Sequence, residues 1–223
     1  VQWATWSRAL PPAAAIWHRD TGEIVTDHRS SWTRRVATPM GTCFVKTYEY
    51  PSWASRLRDF GNRTAPWATP RAVREFAALT WLRDHDFAAP EPLAALVWRR
   101  LGFVARATLV TAAFPGVAAE ALLPTLATAE RIDAARGICA FVQRLHRSGF
   151  RDRNLDLRNL LLERTADGWR VAKIDSGRFR VVAAGAANDR LARADWLRLA
   201  PQLAALGLED AAREGARSAE RGD

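Results

Sequence analysis

The sequence predicts an α+β protein of two lobes: a small β-rich N-terminal lobe and a minimal, mainly helical C-terminal lobe. Three observations predict it. Between Glu23 and Thr111, strand-like apolar and β-branched stretches flank a single helical period. Phe114-Pro115-Gly116 then punctuates the chain. Beyond it the apolar spacing becomes helical, broken by one polar loop and one hairpin. A chain of 223 residues with 48% apolar content can bury a core of this kind. The expected division is residues 1–22 as a Trp-rich extension, 23–114 as the first lobe, 115–208 as the second, and 209–223 as a polar tail.

In the extension, Trp3, Trp6 and Trp17 need a surface to cover, and Pro11-Pro12 argues against regular structure. Glu23–Asp27 reads as a first strand, followed by Trp32–Ala37 and Thr42–Tyr48 around the turn Thr38-Pro39-Met40-Gly41. Alternation in the third strand puts Cys43, Val45 and Thr47 on one face and Phe44, Lys46 and Tyr48 on the other. Lys46 therefore sits mid-strand, either as an exposed edge residue or as a functional ammonium. Pro70 opens a helix over Arg71–Asp84, with Val73, Phe76, Ala77, Leu79, Thr80 and Leu82 as its expected buried face. Glu75 falls on its early turns, where a surface ion pair is the ordinary role. Leu93–Trp98 and Phe103–Thr111 complete the lobe as two strands.

The second lobe opens with a short helix, Ala118–Leu126, and a long one, Ala129–Arg147, whose apolar face is Ile132, Ala135, Ile138, Cys139, Val142 and Leu145. Gly149 is suited to stop it. A charged loop, Arg151–Asn159, precedes Leu160-Leu161-Leu162, a turn at Asp167-Gly168, and a strand Val171–Ile174 ending in Asp175-Ser176-Gly177. An acid and amide cluster and a further acid thus stand at the two ends of one hairpin. Metal-phosphate sites are assembled from such loops. A last helix spans Leu191–Leu206 and carries Trp196, Leu199 and Leu203.

The net charge is +9, spread along the chain without a run of five like charges, which argues against a dedicated nucleic-acid surface. All but two of the 33 basic residues are arginine; the exceptions, Lys46 and Lys173, mark places where a compact ammonium is wanted. Cys43 and Cys139 lack metal or redox spacing and read as buried thiols. No apolar run approaches the ~20 residues of a membrane span, and the N-terminus lacks the order of a signal peptide, so a cytoplasmic protein is expected.

A β-lobe with a mid-strand lysine, a helix with a glutamate, then a polar loop, a hairpin and a terminal acid resembles the protein-kinase-like fold. It is most similar to the bacterial lipopolysaccharide kinases of the Kdo/heptose kinase group. FVKTY at 44–48 resembles the V-A-I-K strand, and residues 71–94 resemble the family's glutamate helix. LHRSGFRDRNLDLRNLLL followed by VAKIDSG resembles the catalytic loop and the D-F-G element. The resemblance implies ATP as phosphate donor, with Lys46 and Glu75 at its phosphates. It implies magnesium held by Asn159 and Asp175, and a sugar or glycolipid acceptor. Work at the inner membrane surface follows from such an acceptor. Only 46 residues follow Gly177, too few for a protein kinase's peptide-binding segment.

The departures are specific. Aligned on Leu145-His146, Gly149 and Asn159, Asp152 takes the family's His slot and Asn154 the catalytic Asp slot. An amide orients a hydroxyl but does not take its proton. Either Asp156 substitutes as the base, or Asp152 does after local rearrangement, or the protein is a pseudokinase that binds nucleotide without catalysis. Two retained acids favour altered catalysis over decay. A basic nucleic-acid-binding protein is the weakest alternative. Asp195 could pin the loop from the last helix or be an ordinary surface residue. No glycine-rich loop is present, and Arg29-Ser30-Ser31-Trp32 would have to cover the phosphates. The hinge would be Ala112-Ala113, reading adenine with backbone groups alone.

Overall fold

The computed structural model describes residues 22–39, 41–58, 64–183 and 190–211, together with Asp20 and Arg213. The Trp-rich extension, apart from Asp20 and Gly22, lies outside them, as do Met40 of the first turn and nearly all of the tail. Two compact units form. The first comprises the described residues up to Trp81 with Pro90–Phe114, and the second Leu82–Ala89 with those from Pro115 on.

The first unit is built on a five-stranded antiparallel sheet: β1 (Glu23–His28), β2 (Ser31–Thr38), β3 (Gly41–Glu49), β4 (Pro92–Arg100) and β5 (Phe103–Ala112), ordered β1-β2-β3-β5-β4. In β3 the alternation is realised: Cys43, Val45 and Thr47 are buried, and Phe44 and Lys46 are half-buried on the other face. Cys43 and Val45 join Trp32, Val36, Ala94, Leu96 and Val110 in the core. Trp32 is thus a core residue of β2, buried because its indole fills the sheet's inner face. That corrects its expected place in a phosphate-covering loop; the β1–β2 turn is Arg29-Ser30 alone.

Helix α1 (Trp53–Arg58) follows β3, and α2 (Arg71–Asp84) has the expected bounds. Its buried face is rotated from the expected one. Ala72, Glu75, Ala78, Leu79 and Leu82 are buried, whereas Ala77 is exposed and Val73, Phe76 and Thr80 are half-buried. The physical reason is Glu75. Its carboxylate is drawn inward by hydrogen-bond donors, and this turns the face it shares with Ala72, Ala78, Leu79 and Leu82 inward.

In the second unit the segment expected as one short helix is a two-residue strand β6 (Val117–Ala118), helix α3 (Ala119–Leu122) and a 3-10 turn (Leu123–Thr125) with Pro124 inside it. Strand β6 pairs with the hairpin β8 (Leu160–Thr165) and β9 (Gly168–Lys173). Helix α4 (Thr128–Arg147) buries Ala134, Ala135, Ile138, Cys139, Phe141, Val142, Leu145 and His146, while Ile132 at its start is exposed. Beyond α4 the chain reverses at Gly149, whose N–H donates to the His146 carbonyl at φ +87°. Strand β7 (Phe150–Arg151) then pairs with β10 (Arg180–Val181), and Phe150 stacks on Phe179. The loop 152–156 and a 3-10 turn (Leu157–Asn159) lead into β8. Helix α5 (Arg190–Ala204) buries Asp195, Trp196, Leu199 and Leu203.

A Cβ at residue 149 would be strained by the left-handed backbone that delivers the chain to the loop. Gly149→Ala is expected to cost about 1 kcal/mol or more. Chemical denaturation should show a lower midpoint at unchanged slope.

Candidate active site

Among the described residues, polar groups cluster in both units. In the first unit, Lys46 projects from β3 and its Nζ lies 3.2 Å from Glu75 Oε2 on α2. The Tyr48 hydroxyl donates to Glu75 Oε1 at 2.6 Å and Arg71 Nε to the same oxygen at 3.0 Å. Lys46 and Arg71 both lie over the Tyr48 ring, at 5.4 and 5.0 Å from its centre. Burial would penalise a bare carboxylate, so three donors on Glu75 are what let it stay inside. Two cations on one carboxylate leave local positive charge, and Lys46 retains 25% exposure through which to offer it. This is a lysine oriented by a buried acid. The ordinary surface role considered for Glu75 does not apply. At the end of β5, the N–H groups of Ala112 and Ala113 donate to the carbonyls of Glu91 and Thr42.

In the second unit the loop is held from one face of α5. Asp195, Arg198 and Gln202 follow one another at helical spacing. Asp195 is 1% exposed and accepts the backbone N–H groups of Asp152 at 3.0 Å and Arg153 at 2.8 Å. His146 Nε2 stands 3.2 Å from the same carboxylate. Gln202 accepts from the Leu157 N–H at 3.0 Å and donates to Asp156 Oδ1 at 2.9 Å. Arg198 forks onto Asp156, Nε to Oδ1 at 2.9 Å and Nη2 to Oδ2 at 3.1 Å. Arg158 adds a contact of 3.3 Å to Oδ2.

Beneath the loop, Asp152 and Lys173 are both fully buried, with Nζ 3.1 Å from Oδ2. Lys173 also donates to its neighbour's carbonyl, at Ile174. Arg151, buried too, turns its guanidinium to the carbonyls of His146 and Phe150.

Asn154, Asn159 and Asp175 are brought together. Asn154 Nδ2 donates to the Asp175 carbonyl at 3.3 Å, and Asn159 Nδ2 donates to the Asn154 carbonyl at 3.0 Å. The Ile174 N–H closes the knot on the Asn159 carbonyl at 3.0 Å. Asp175 at φ +59° and Arg153 at φ +61° adopt left-handed backbone without being glycine. Such conformations persist only where surrounding bonds over-determine them, and they concentrate at functional sites.

Both loop acids expected as candidate bases are engaged within the protein. Burial opposes ionisation of Asp156, but the hydrogen bonds from Arg198 and Gln202, with the charges of Arg198 and Arg158, outweigh it and lower its pKa. A carboxylate with a lowered pKa and four donor contacts is a poor proton acceptor. For Asp152, burial raises the pKa, partly offset by Lys173, but the fully buried side chain has no exposed surface to offer a hydroxyl. Asn154 remains half-buried in the base slot. The donor set at Asn159 and Asp175 fits magnesium. Anchoring Nδ2 of Asn159 to a carbonyl directs Oδ1 away from it, and hard oxygens from one or two side chains suffice when phosphates supply the rest. Tyr48, Arg71, Arg198 and Gln202 escaped the sequence reading. Tyr48 was legible as the residue two beyond Lys46 on the same strand face, and Arg198 and Gln202 as one helix face with Asp195.

A β-rich unit with a lysine–glutamate pair, and a helical unit with a helix-pinned loop and a hairpin that ends in an acid, define a protein-kinase-like fold. The profile of the Lipopolysaccharide kinase (Kdo/WaaP) family matches residues 17–206, and the chain belongs to that family. Among solved structures it is similar to WaaP in complex with acyl carrier protein, at a TM-score of 0.64 and 18% identity, over 91% of this chain and 79% of that one. No curated protein matches it.

Asp156 contributes stability through a lowered folded-state pKa. That contribution is complete above the ordinary aspartate value, near 3.9, and disappears as pH falls through the folded value. Wild type is therefore expected to exceed Asp156→Asn in stability at neutral pH, with the gap closing below about pH 4. Urea midpoints of both proteins across that range check it.

Proposed function

We propose that the protein is an ATP- and magnesium-dependent phosphotransferase acting on a sugar hydroxyl of a lipopolysaccharide core or related glycolipid. The reading is supported at the coarse level by family membership. The observation that carries it further is the hydrogen-bonded knot of Asn154, Asn159 and Asp175. Lys46, held by Glu75, neutralises phosphate oxygens of the nucleotide. Asn159 and Asp175 would hold magnesium, which supplies further charge neutralisation when bound. Asn154 orients the acceptor hydroxyl through its side-chain amide. Phosphoryl transfer passes through a loose transition state in which positioning and charge stabilisation outweigh proton abstraction, so an amide in this slot slows the reaction without forbidding it. Asp156 and Asp152 act on the loop and not on the substrate. The acceptor class places this work in the cytoplasm, at the inner membrane face.

One observation favours a second reading, nucleotide binding without catalysis: both loop carboxylates near the base slot are committed to ion pairs. Titration calorimetry with Mg-ATP, beside a phosphate-transfer assay on core oligosaccharide, separates the two. Under the first reading, Lys46→Met and Asp175→Ala each lower kcat/KM by roughly 100-fold or more. Asn154→Asp, restoring a base, raises kcat by about 10- to 100-fold. Mg-ATP binding with no wild-type turnover supports the second reading, and no Mg-dependent binding at all removes both.

A further inference from the structure

Of the two lysines, Lys46 has a place in the proposed reaction and Lys173 has none. Lys173 is the last residue of β9, fully buried beside the buried Val171 and Ala172 of the same strand. Burying a charge is costly, and a buried ion pair seldom adds stability over well-packed apolar residues. An apolar side chain would therefore fill this strand end at less cost. The position in the hairpin is particular. Lys173 pairs with Leu160, so it stands at the root from which Asn159 leaves on one strand and Asp175 on the other. Its ammonium has two partners: Asp152 Oδ2 at 3.1 Å, and the carbonyl of Ile174. The Ile174 N–H is bound as well, to the Asn159 carbonyl at 3.0 Å.

These bonds act on Asp175 through the chain. A peptide unit is planar, so the Ile174 carbonyl marks the plane that enters Asp175 and the Asp175 carbonyl the plane that leaves it. The first carbonyl is held by Lys173, and the second by Asn154 Nδ2 at 3.3 Å. With both planes held, φ and ψ of Asp175 are set together. That accounts for a left-handed backbone, φ +59°, at a residue other than glycine, a conformation that persists only where its neighbours over-determine it. We propose that Lys173 is a positioning residue for Asp175. Its ammonium, paired with Asp152, holds the peptide plane that presents the Asp175 carboxylate to a divalent cation bound with the nucleotide. The role rests on the phosphotransferase reading, in which Asp175 is a magnesium ligand. It also gives Asp152 a use, as the acid that keeps an ammonium in place beneath the loop.

With lysine isotope-labelled at Nζ, the full chain gives two ammonium signals in NMR, one per lysine, and Lys46→Arg assigns them. In the metal-free wild type, the Lys173 ammonium is expected to exchange its protons slowly with solvent and to couple through its hydrogen bond to the Ile174 carbonyl carbon. Rapid exchange at both lysines overturns the proposal, and this measurement needs no substitution at the buried pair. Asp152→Leu/Lys173→Met removes both partners at once, so neither is left buried alone, and is expected to keep its thermal midpoint. Its Ile174 amide is expected to lose about tenfold or more in hydrogen-exchange protection, while amides nearer the hairpin turn keep theirs. Manganese, a paramagnetic probe of the magnesium site, is titrated into wild type and variant in the presence of ATP. The variant is expected to bind it about 10- to 100-fold more weakly, as when a group that orients a metal-binding carboxylate is lost. Its kcat falls with the KM for the acceptor unchanged. A merely structural pair would leave the manganese affinity of the folded variant unchanged; that result overturns the role of Lys173 and leaves the reaction standing. Wild type that binds no manganese with ATP overturns the phosphotransferase reading and this role together.

Discussion

A single buried carboxylate orders the second unit. Asp195 takes two consecutive backbone N–H groups of the loop, at Asp152 and Arg153, and stands beside His146 of α4. Charge-assisted bonds to backbone donors are strong and directional. Two of them on successive residues fix the peptide plane between Asp152 and Arg153. They help hold Arg153 in a left-handed conformation that a non-glycine residue otherwise avoids. Everything downstream depends on that fixed turn. Asn154 reaches the Asp175 carbonyl because the loop leaves Arg153 in that direction, and Asn159 reaches back to Asn154 because the 3-10 turn between them is anchored by Gln202.

The two lysines obey one rule in both units. In a chain that uses arginine almost everywhere, each ammonium is paired with a buried acid. A guanidinium is wide and planar, and its fork suits a carboxylate reached from an exposed position, as where the half-exposed Arg198 meets Asp156. An ammonium packs into a smaller space. At Lys173, where neither partner is exposed, the difference decides whether the charge fits beneath the loop at all. At Lys46 the ammonium meets Glu75 while keeping a quarter of its side-chain surface exposed. The desolvation cost of such pairs is large, and removing one partner strands the other, so each lysine is tied to its acid energetically as well as geometrically.

The strands and long helices were legible because burial imposes a period on the sequence. β3 shows its two faces in FVKTY, and α2 ends where its periodicity ends. The buried face of α2 was misplaced because the pattern was scored on apolar residues, and the inward residue that sets its rotation is a glutamate. Trp32 fitted both the start of the second strand and the end of a phosphate-covering turn; its pairing with Thr47 decides for the strand. The partners of Asp152 and Asp156 were beyond reach for a further reason. Two acids flanking a slot look equivalent in sequence. What separates them is a lysine 21 residues onward and an arginine 42 residues onward, brought in by the hairpin and by α5. Long-range ion pairs leave no local period to read.

The exchange of roles along the loop has a physical consequence of its own. The amide of Asn154 gives the loop a donor that a carboxylate in its place would lack, and the loop uses it on the Asp175 carbonyl. The negative charge is carried two residues later by Asp156, where Arg198 and Arg158 neutralise it on the side of α5. The loop therefore keeps its shape without a charged base at its centre. On the proposed phosphotransferase reading, its chemistry rests on the orientation of a hydroxyl and the neutralisation of phosphate, the two contributions that a loose phosphoryl-transfer transition state draws on most.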